Sequence, residues 1–481
     1  MFALRKKSIQ ILIILTTLLF VLSVVLHPIQ SEDLFIYLSI AREYFKTGQF
    51  PVYDTFLYTL PNYQWTIMHQ WLSYFFYYAA YLIGGFNFII LVKTFLIGLI
   101  FYVPVRLAKK NQDYVVWSFS SFLAILAMSF RTAERTSLFS DFFIVLVICI
   151  LISEDIKPSR WKYALPFIFL LWVNMHPGFV VGWAVVFAYL LIHIKKLKSR
   201  EYRKLLILSF ISVPVVLLNP KGLDGLLYPL HFATHEGAVY RQFYFEWMPT
   251  LAPIFRYQIH NLYVVVLICL NCFLLFKARK NSPYFEFFLS VLFIFYGFYA
   301  IRFLPTMCFA LLATNVALSL KLNENLQFRW TAKLLVLLLV GLSIKNIFWG
   351  YQTISGKRNF GVGLDERVVP FRVAQIIAEN PQVGNIYNSH MFGAYLAWAW
   401  EGKRKIFYHG TVTDTFFFLN EYATFSQSPE KFNQQVTKYN IRAFLLDRFA
   451  GIESLVQILI SNKNWKLVYK DEGSLLFLPV Q

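Results

Sequence analysis

Apolar runs about 20 residues long, most of them bounded by Lys or Arg, recur along the first three quarters of the chain. A helix of this length crosses the hydrocarbon core of a bilayer, and a soluble domain cannot bury so many of them. Of the 481 residues, 58% are hydrophobic and 15% are charged, and the mean hydropathy is +0.53. The chain is therefore predicted to be an all-α polytopic membrane protein.

The net charge of +19 comes from short basic clusters between the apolar runs. This distribution is the positive-inside pattern of membrane proteins, so no nucleic-acid partner is predicted. Arg5, Lys6 and Lys7 place the N-terminus in the cytoplasm. The four cysteines all lie within apolar runs and are interpreted as small buried hydrophobic residues.

The basic clusters are consistent with about eleven spans if the apolar segment 67–83 does not cross the membrane. If that segment did cross, Arg106, Lys109 and Lys110 would lie outside, against the charge rule. It is therefore predicted to be an interfacial or re-entrant helix packed against protein. The predicted spans cover residues 9–26, 86–105, 114–130, 138–153, 164–175, 178–194, 205–218, 261–276, 285–301, 304–320 and 334–349.

The composition changes near Gly350, after which charge, Gly and Asn increase and the apolar runs shorten. Residues 1–350 are predicted to form the transmembrane domain, with a first outer loop at 28–67, and residues 351–481 a small extracytoplasmic α/β domain. Its predicted strands are 385–387, 405–408, 443–446 and 475–478, its predicted helices are 369–379 and 429–439, and a hairpin turn is predicted at 470–474.

Polar residues collect at the outer ends of the predicted spans. The first outer loop carries Glu32, Asp33, Asp54 and His69. The later outer turns supply Arg131, Arg135, Asn174, His176, Asn219, Glu246 and Arg302. Such a pocket suits a lipid-borne substrate that carries a phosphate, which the arginines would hold. Asp33 and Asp54 are the predicted catalytic residues, and the other nine are predicted to bind the substrate. Asp33 would accept the proton of an attacking hydroxyl, and no nucleotide would be needed.

Each of these residues also has a simpler interpretation. Ser31 or Asp33 would then be the N-cap of a surface helix. Arg131 and Arg135 would be anchors at the membrane–water interface. His176 would make a structural hydrogen bond in its Pro-Gly turn, and Asp54 and Asn219 would be turn residues. No metal or cofactor is predicted: Asp33, Asp54 and His69 could ligate a divalent cation, but their spacing matches no metal motif.

The order of several short motifs resembles the bacterial polytopic GT-C-type glycosyltransferases. In the first loop these are Glu32-Asp33, the run GQFPVYD that ends at Asp54, and W-x-x-x-H-Q-W-L around His69. An uncharacterised bacterial group, distantly similar to protein O-mannosyltransferases and lipid A aminoarabinose transferases, shares further motifs. These are Arg135 with LFS at 138–140, WVNMHPGF at 172–179, NPKG at 219–222 and YNSHMFGAYLAW at 387–398.

The resemblance implies a GT-C-like membrane domain and transfer of a sugar from a polyprenyl-phosphate donor to a cell-envelope glycan, lipid or protein. It implies that Asp33 is the catalytic carboxylate, and that the protein is a multi-pass protein of the bacterial plasma membrane whose C-terminal domain is periplasmic or extracellular. Two departures are Gln70, where an acid is common, and Thr136, where Pro is common. The alternative function is a non-catalytic protein of lipid-linked glycan transport or assembly. A transporter would be expected to show repeats and polar groups near mid-membrane, and neither is evident.

Overall fold

The computed structural model describes residues 2–65, 67–234, 244–255, 258–322, 329–354, 356–448 and 453–480. The chain forms two compact units that are not contiguous in sequence. Unit 1 comprises Met1–Pro28 and Ile90–Val362, and unit 2 comprises Ile29–Ile89 and Gly363–Gln481. The first outer loop therefore groups with the C-terminal region, and the division at residue 350 stays a prediction.

The helices up to residue 349 are α1 Phe2–Val25, α2 Asp33–Thr47, α3 Trp71–Val105, α4 Asn111–Met128, α5 Ser137–Ile156, α6 Leu165–Met175, α7 Phe179–Ile192, α8 Arg200–Ile211, α9 Gly222–Thr234, α10 Ile259–Ala278, α11 Tyr284–Tyr299, α12 Leu304–Leu320 and α13 Arg329–Trp349. The short hairpin β1 Tyr351–Thr353 and β2 Gly356–Arg358 follows. This predominantly helical apolar architecture confirms the predicted fold class.

Each of the eleven predicted spans coincides with a helix, but the helices differ in length. Among the described residues, seven are long and apolar enough to cross a bilayer, or eight if the bent pair Arg200–Leu218 and Gly222–Phe232 counts as one. Helices α6, α7 and α11 have only 11, 14 and 16 residues. The turn at His176 ends α6 before Pro177, at the break between the predicted spans 164–175 and 178–194.

The segment 67–83 belongs to a 38-residue apolar stretch, Met68–Val105, that is broken at Gly84 and Gly85. Both glycines depart from helical geometry, and Gly85 has a φ of 63°, which favours glycine. The part before the break packs within unit 2, where Tyr74 stacks on Tyr37 at 4.7 Å between ring centroids. This agrees with the predicted packing against protein, and whether the segment crosses the membrane stays a prediction.

The core of unit 1 is centred on α12, which packs against α4, α10 and α11. Nearly all its side chains are buried, including Asn315, which accepts a hydrogen bond from Asn271 at 2.8 Å and donates one to Ser120 at 3.1 Å. Polar groups within an apolar bundle are stable when they satisfy each other in this way. This packing fixes both ends of α12, where Arg302 and Lys321 lie.

Lys93 on α3 and Glu134 form an ion pair at 2.8 Å, and both side chains are fully buried. Replacing Lys93 by Met should lower the free energy of unfolding by about 3–5 kcal/mol, because it leaves a buried carboxylate without its countercharge. Thermal unfolding in detergent measures the loss. The double variant Lys93→Met/Glu134→Gln should recover most of it, and Lys109→Met at an exposed position is the control. A single variant as stable as the control would contradict the expectation.

Unit 2 contains a four-stranded sheet formed by β3 Asn385–Asn388, β4 Ile441–Asp447, β5 Trp465–Lys470 and β6 Ser474–Pro479, in the order β3-β4-β6-β5. β3 and β4 are parallel, and the other two pairs are antiparallel. A parallel pair needs a crossover connection, which residues 389–440 supply. The main helices of this region are α14 Phe371–Ala378, α15 His390–Trp400, α16 Pro429–Lys438 and α17 Glu453–Ser461.

Three of the four predicted strands, both predicted helices and the hairpin are present. The predicted strand 405–408 is wrong, because Ile406 makes only an isolated bridge to Leu57 of the first outer loop. The hydrophobicity of this segment reflects burial beneath that loop. Helix α15 was not predicted, since its sequence HMFGAYLAWAW is apolar almost all round and shows no helical periodicity.

Candidate active site

Three arginines of unit 1 surround one glutamate at the ends of membrane helices. Arg131 ends the span that contains α4, Arg135 precedes α5, and Arg302 precedes α12. The segment 244–255 brings in Glu246, whose Oε2 accepts hydrogen bonds from Arg131, at 2.8 Å, and from Arg135. Oε1 of Glu246 lies 3.9 Å from Arg302. Four of the residues predicted from sequence are therefore brought together.

One carboxylate cannot neutralise three guanidinium groups, so this arginine cluster keeps a formal charge of +2. Burial opposes ionisation of Glu246, but the nearby Arg135, Arg131 and Arg302 outweigh it and hold its pKa well below the usual range. The Arg302 guanidinium also lies 3.9 Å from the centre of the Trp247 ring, in a cation–π contact. The cluster is thus preorganised and can accept an anion.

Arg358 holds the turn from which Arg131 projects. Its guanidinium donates to the carbonyls of Ser129 and Phe130, each at 2.8 Å, and to Thr132 Oγ1 at 2.9 Å. These carbonyls lie at the C-terminal end of α4, where a cation is favourable. The predicted sites did not include Arg358, because its role depends on a contact between distant parts of the chain.

A small cavity of about 30 Å³ lies beside the arginine cluster. That volume holds one or two water molecules, so a larger group enters only if the lining side chains move apart. The cavity is lined by Arg131, Ser137, Ser140, Asp141, Ile144, Trp172, His176, Gly178, Val181, Tyr296, Arg302, Phe303 and Thr306. Thr306 donates a hydrogen bond to the buried Asp141 at 2.5 Å.

His176 is held in one orientation at the wall of this cavity. Its Nδ1 accepts the backbone N–H of Gly178 at 3.2 Å, so that nitrogen carries no proton and also accepts the Ser140 hydroxyl at 2.7 Å. Ser140 in turn accepts the indole N–H of Trp172 at 2.7 Å. In the neutral ring the proton is then on Nε2. The structural hydrogen bond considered for His176 exists, and it is compatible with a ligand role.

Asn174 and Asn219 lie against each other and do not line the cavity. The side chain of Asn219 donates to the Asn174 side chain at 3.2 Å and to the Val173 carbonyl at 3.1 Å, and it accepts the Lys221 N–H at 2.9 Å. These contacts brace the connection between two helices. The predicted role of both residues in substrate binding stays a prediction.

In unit 2, Asp33 is the first residue of α2, and Glu32 precedes it as the N-cap. The side chain of Glu32 makes no capping hydrogen bond, and the hydroxyl of Ser31 is buried with no hydrogen-bond partner among the described residues. Neither Ser31 nor Asp33 is therefore the N-cap. Asp33 Oδ1 lies 4.0 Å from the position that a Cβ at Gly410 would occupy. His69 is buried in the short turn that precedes α3.

Asp54 forms a hydrogen-bonded chain with two residues of the C-terminal region. Its Oδ2 lies 2.6 Å from His409 Nε2, and His409 Nδ1 lies 2.8 Å from the Thr411 hydroxyl. Asp54 Oδ1 accepts the backbone N–H of Phe56 at 2.8 Å. The side chains of Asp54 and His409 are both fully buried. This burial favours a positioning role for Asp54 over direct contact with a substrate.

Sequence reasoning missed Asp141, His390, His409 and Thr411. The sequence offered one signal for Asp141, an acid inside an apolar run, which is rare and often functional. His390 stands within a motif that was quoted without a role. No group of three or more His, Cys, Asp or Glu residues that could hold a metal occurs among the described residues. The prediction that no cofactor is needed stays a prediction.

No protein-family model and no curated protein matches the chain. Several solved structures match the chain. The oligosaccharyltransferase of Archaeoglobus fulgidus, tethered to an acceptor peptide that contains the NVT sequon, matches with a TM-score of 0.59 at 11% identity, over 99% of this chain and 74% of that one. AglB from the same organism, solved in complex with an inhibitory peptide and a dolichol-phosphate, matches with a TM-score of 0.55 at 11% identity, over 99% of this chain and 75% of that one. ArnT from Cupriavidus metallidurans matches with a TM-score of 0.45 at 12% identity, over 98% of both chains.

The similarity to the archaeal oligosaccharyltransferase confirms the predicted GT-C-type fold. At 11% identity it establishes the fold and leaves the reaction to be argued from the residues of this chain.

Proposed function

We propose that this chain is an integral membrane glycosyltransferase that moves a sugar from a polyprenyl-phosphate donor to an acceptor on the extracytoplasmic face. The observation that carries the proposal is the arginine cluster, Arg131, Arg135 and Arg302 around Glu246. Three cations at the ends of apolar helices suit an anion that arrives within the lipid bilayer.

The phosphate of the donor would replace the Glu246 carboxylate among the three guanidinium groups. A guanidinium presents a planar fork of donors that matches phosphate oxygens, and two of the three already donate to one oxygen of Glu246. Held in this way, the phosphate becomes a better leaving group, because the cations stabilise the charge that it gains when the sugar departs.

Asp33 is proposed as the general base. Its position at the first turn of α2 favours the ionised carboxylate, because the positive end of the helix dipole is there. A carboxylate in this position can accept the proton of an acceptor hydroxyl as that oxygen attacks the sugar carbon. The fold offers a precedent, since AglB was solved with a dolichol-phosphate, a lipid phosphate.

The apolar helices support a multi-pass membrane protein. We propose a bacterial plasma membrane location with a cytoplasmic N-terminus and an extracytoplasmic C-terminus, because of the basic clusters. Reporter fusions should place residue 110 in the cytoplasm and residue 481 outside. A fusion that places residue 110 outside, or the C-terminus in the cytoplasm, would overturn the proposed topology.

The transferase proposal is tested with purified protein and a panel of undecaprenyl-phosphate sugars carrying glucose, mannose, galactose or arabinose. Release of undecaprenyl phosphate together with a sugar-labelled product is expected for at least one donor. If the protein in liposomes instead moves an intact donor between leaflets and releases no undecaprenyl phosphate, the transport alternative is correct.

A further inference from the structure

A small gap in unit 2 is bordered by Asp33, His390 and Gly410. A methyl group added at Gly410 would lie 4.0 Å from Asp33 Oδ1 and 4.0 Å from His390 Cδ2, and among the described residues no other atom outside 409–411 is closer. The carboxylate of α2 and the imidazole of α15 thus face the same point. Because glycine has no side chain, residue 410 does not fill the space between them.

Gly393 sets the distance between α15 and the segment that carries Gly410. A Cβ at Gly393 would overlap the Tyr408 carbonyl oxygen and would come within 2.8 Å of His409 Cβ, so the helix rests directly on this backbone. His390 lies three residues before Gly393 and therefore shares its face of the helix. The close contact at Gly393 brings His390 to Gly410.

The Asp54–His409–Thr411 chain holds this backbone from the other side. The first outer loop is also attached to the same segment by Phe56 and Tyr58, whose backbone groups bond to Ile406. The loop therefore has other attachments, and the buried Asp54–His409 contact specifically fixes the residue that precedes Gly410. Asp54 and His409 are accordingly positioning residues.

The edge of the His390 ring that borders the gap has Cδ2 nearest to Gly410, and Nε2 is bonded to that carbon. Burial lowers its pKa to about 4, so the ring is neutral at physiological pH. The hydroxyl of Tyr422 accepts the backbone N–H of His390 at 2.8 Å and lies 3.4 Å from Nδ1, to which it can donate. The ring proton is then on Nε2, next to the carbon that faces Gly410.

We infer that the gap between Asp33 and His390 is the subsite for the nucleophilic group of the acceptor, and that this group is a hydroxyl. A hydroxyl donates to the carboxylate and accepts from the imidazole N–H at the same time. A carboxamide nitrogen or an ammonium group donates but cannot accept, so neither satisfies both partners. The inference rests on the proposed function, in which Asp33 is the base.

In the reaction, the acceptor oxygen forms a bond to the anomeric carbon of the sugar. The bond between that carbon and the phosphate oxygen breaks, and undecaprenyl phosphate leaves with the electron pair. The hydroxyl proton moves to Asp33, and the hydrogen bond from His390 directs the remaining lone pair of the oxygen toward the sugar. No oxidant, reductant or further reactant is required.

The test compares Gly410→Ala with wild type, using the most active undecaprenyl-phosphate sugar of the panel as donor and glycerol, acetamide or ethylammonium as acceptor. The backbone of Gly410 is outside the left-handed region and its nearest neighbours are at 4.0 Å, so the variant should fold normally. Its methyl group fills the gap. The KM for glycerol should rise about tenfold, the effect of one lost hydrogen bond, with an unchanged Kd for undecaprenyl phosphate.

Gly341→Ala, where an added Cβ meets no atom within 4 Å, is the matched control and should behave as wild type. His390→Leu should raise the KM for glycerol as Gly410→Ala does, and His390→Gln, which keeps an N–H donor, should retain more of the affinity. An unchanged KM in Gly410→Ala, or transfer to acetamide or ethylammonium as fast as to glycerol, would overturn the subsite and leave the transferase standing. Wild-type protein that transfers no sugar from any donor would overturn the proposed function itself.

Discussion

Replacing Asp33 by Asn should lower the rate of sugar transfer by about 10²–10⁴-fold, the usual contribution of a general base. Asparagine keeps the size of the side chain and removes its basicity. Asparagine also keeps an oxygen that accepts hydrogen bonds, and the loss of favourable charge at the helix start costs about 0.3–1 kcal/mol. The variant should therefore fold and insert normally while losing activity.

Glu43→Gln is the matched control, because it removes one negative charge from the same helix. Asp54→Asn should reduce the rate less than Asp33→Asn, since asparagine still offers an oxygen to the Phe56 N–H and the side chain of Asp54 is fully buried. Initial rates are compared at matched expression and matched melting temperature. Transfer at the wild-type rate by Asp33→Asn would refute the proposed mechanism.

Arg135→Ala and Arg302→Ala should each weaken binding of undecaprenyl phosphate by about 10–100-fold. A hydrogen bond to a charged group contributes about 1.5–3 kcal/mol, and each 1.4 kcal/mol corresponds to a factor of about ten in Kd. Folding should change little, because both side chains are partly exposed and Glu246 keeps two arginine partners in either variant. Titration of the lipid into detergent-solubilised protein gives the Kd.

The exposed Arg203→Ala in α8 serves as the control for loss of one positive charge. Glu246→Gln provides a change in the opposite direction. It removes the internal anion that competes with the phosphate, so affinity for undecaprenyl phosphate should increase while the melting temperature falls. If Arg135→Ala and Arg302→Ala both bind the lipid with wild-type affinity, the phosphate site is elsewhere.

The helical membrane architecture could be predicted from the sequence because bilayer thickness imposes a length that apolar runs display directly. The strands β3, β4 and β6 were predictable for a similar reason, since short apolar runs bounded by turn residues mark buried strands. The ends of the short helices α6, α7 and α11 were predicted to within two residues, because polar or turn residues mark where these apolar runs stop.

In the candidate site, membership of Arg131, Arg135, Arg302 and Glu246 was predicted from their positions at helix ends. Their arrangement relative to one another was not predicted. That one carboxylate joins three arginines follows from side-chain contacts between residues that lie 115, 111 and 56 positions apart. Single-sequence patterns carry only local periodicity, so they contain no record of which distant side chains meet.

Three properties could be predicted from the amino-acid sequence: that this protein spans a membrane, that its polar residues gather at helix ends, and that Asp33 begins a helix after the first span. These properties depend on hydrophobicity and local chain stiffness. The burial of Asp54 against His409, and the position of His390 facing Asp33 across Gly410, are evident only in the folded chain. Those contacts arise because Gly393 allows a helix to rest on a distant backbone segment, and such close packing is a property of the folded chain.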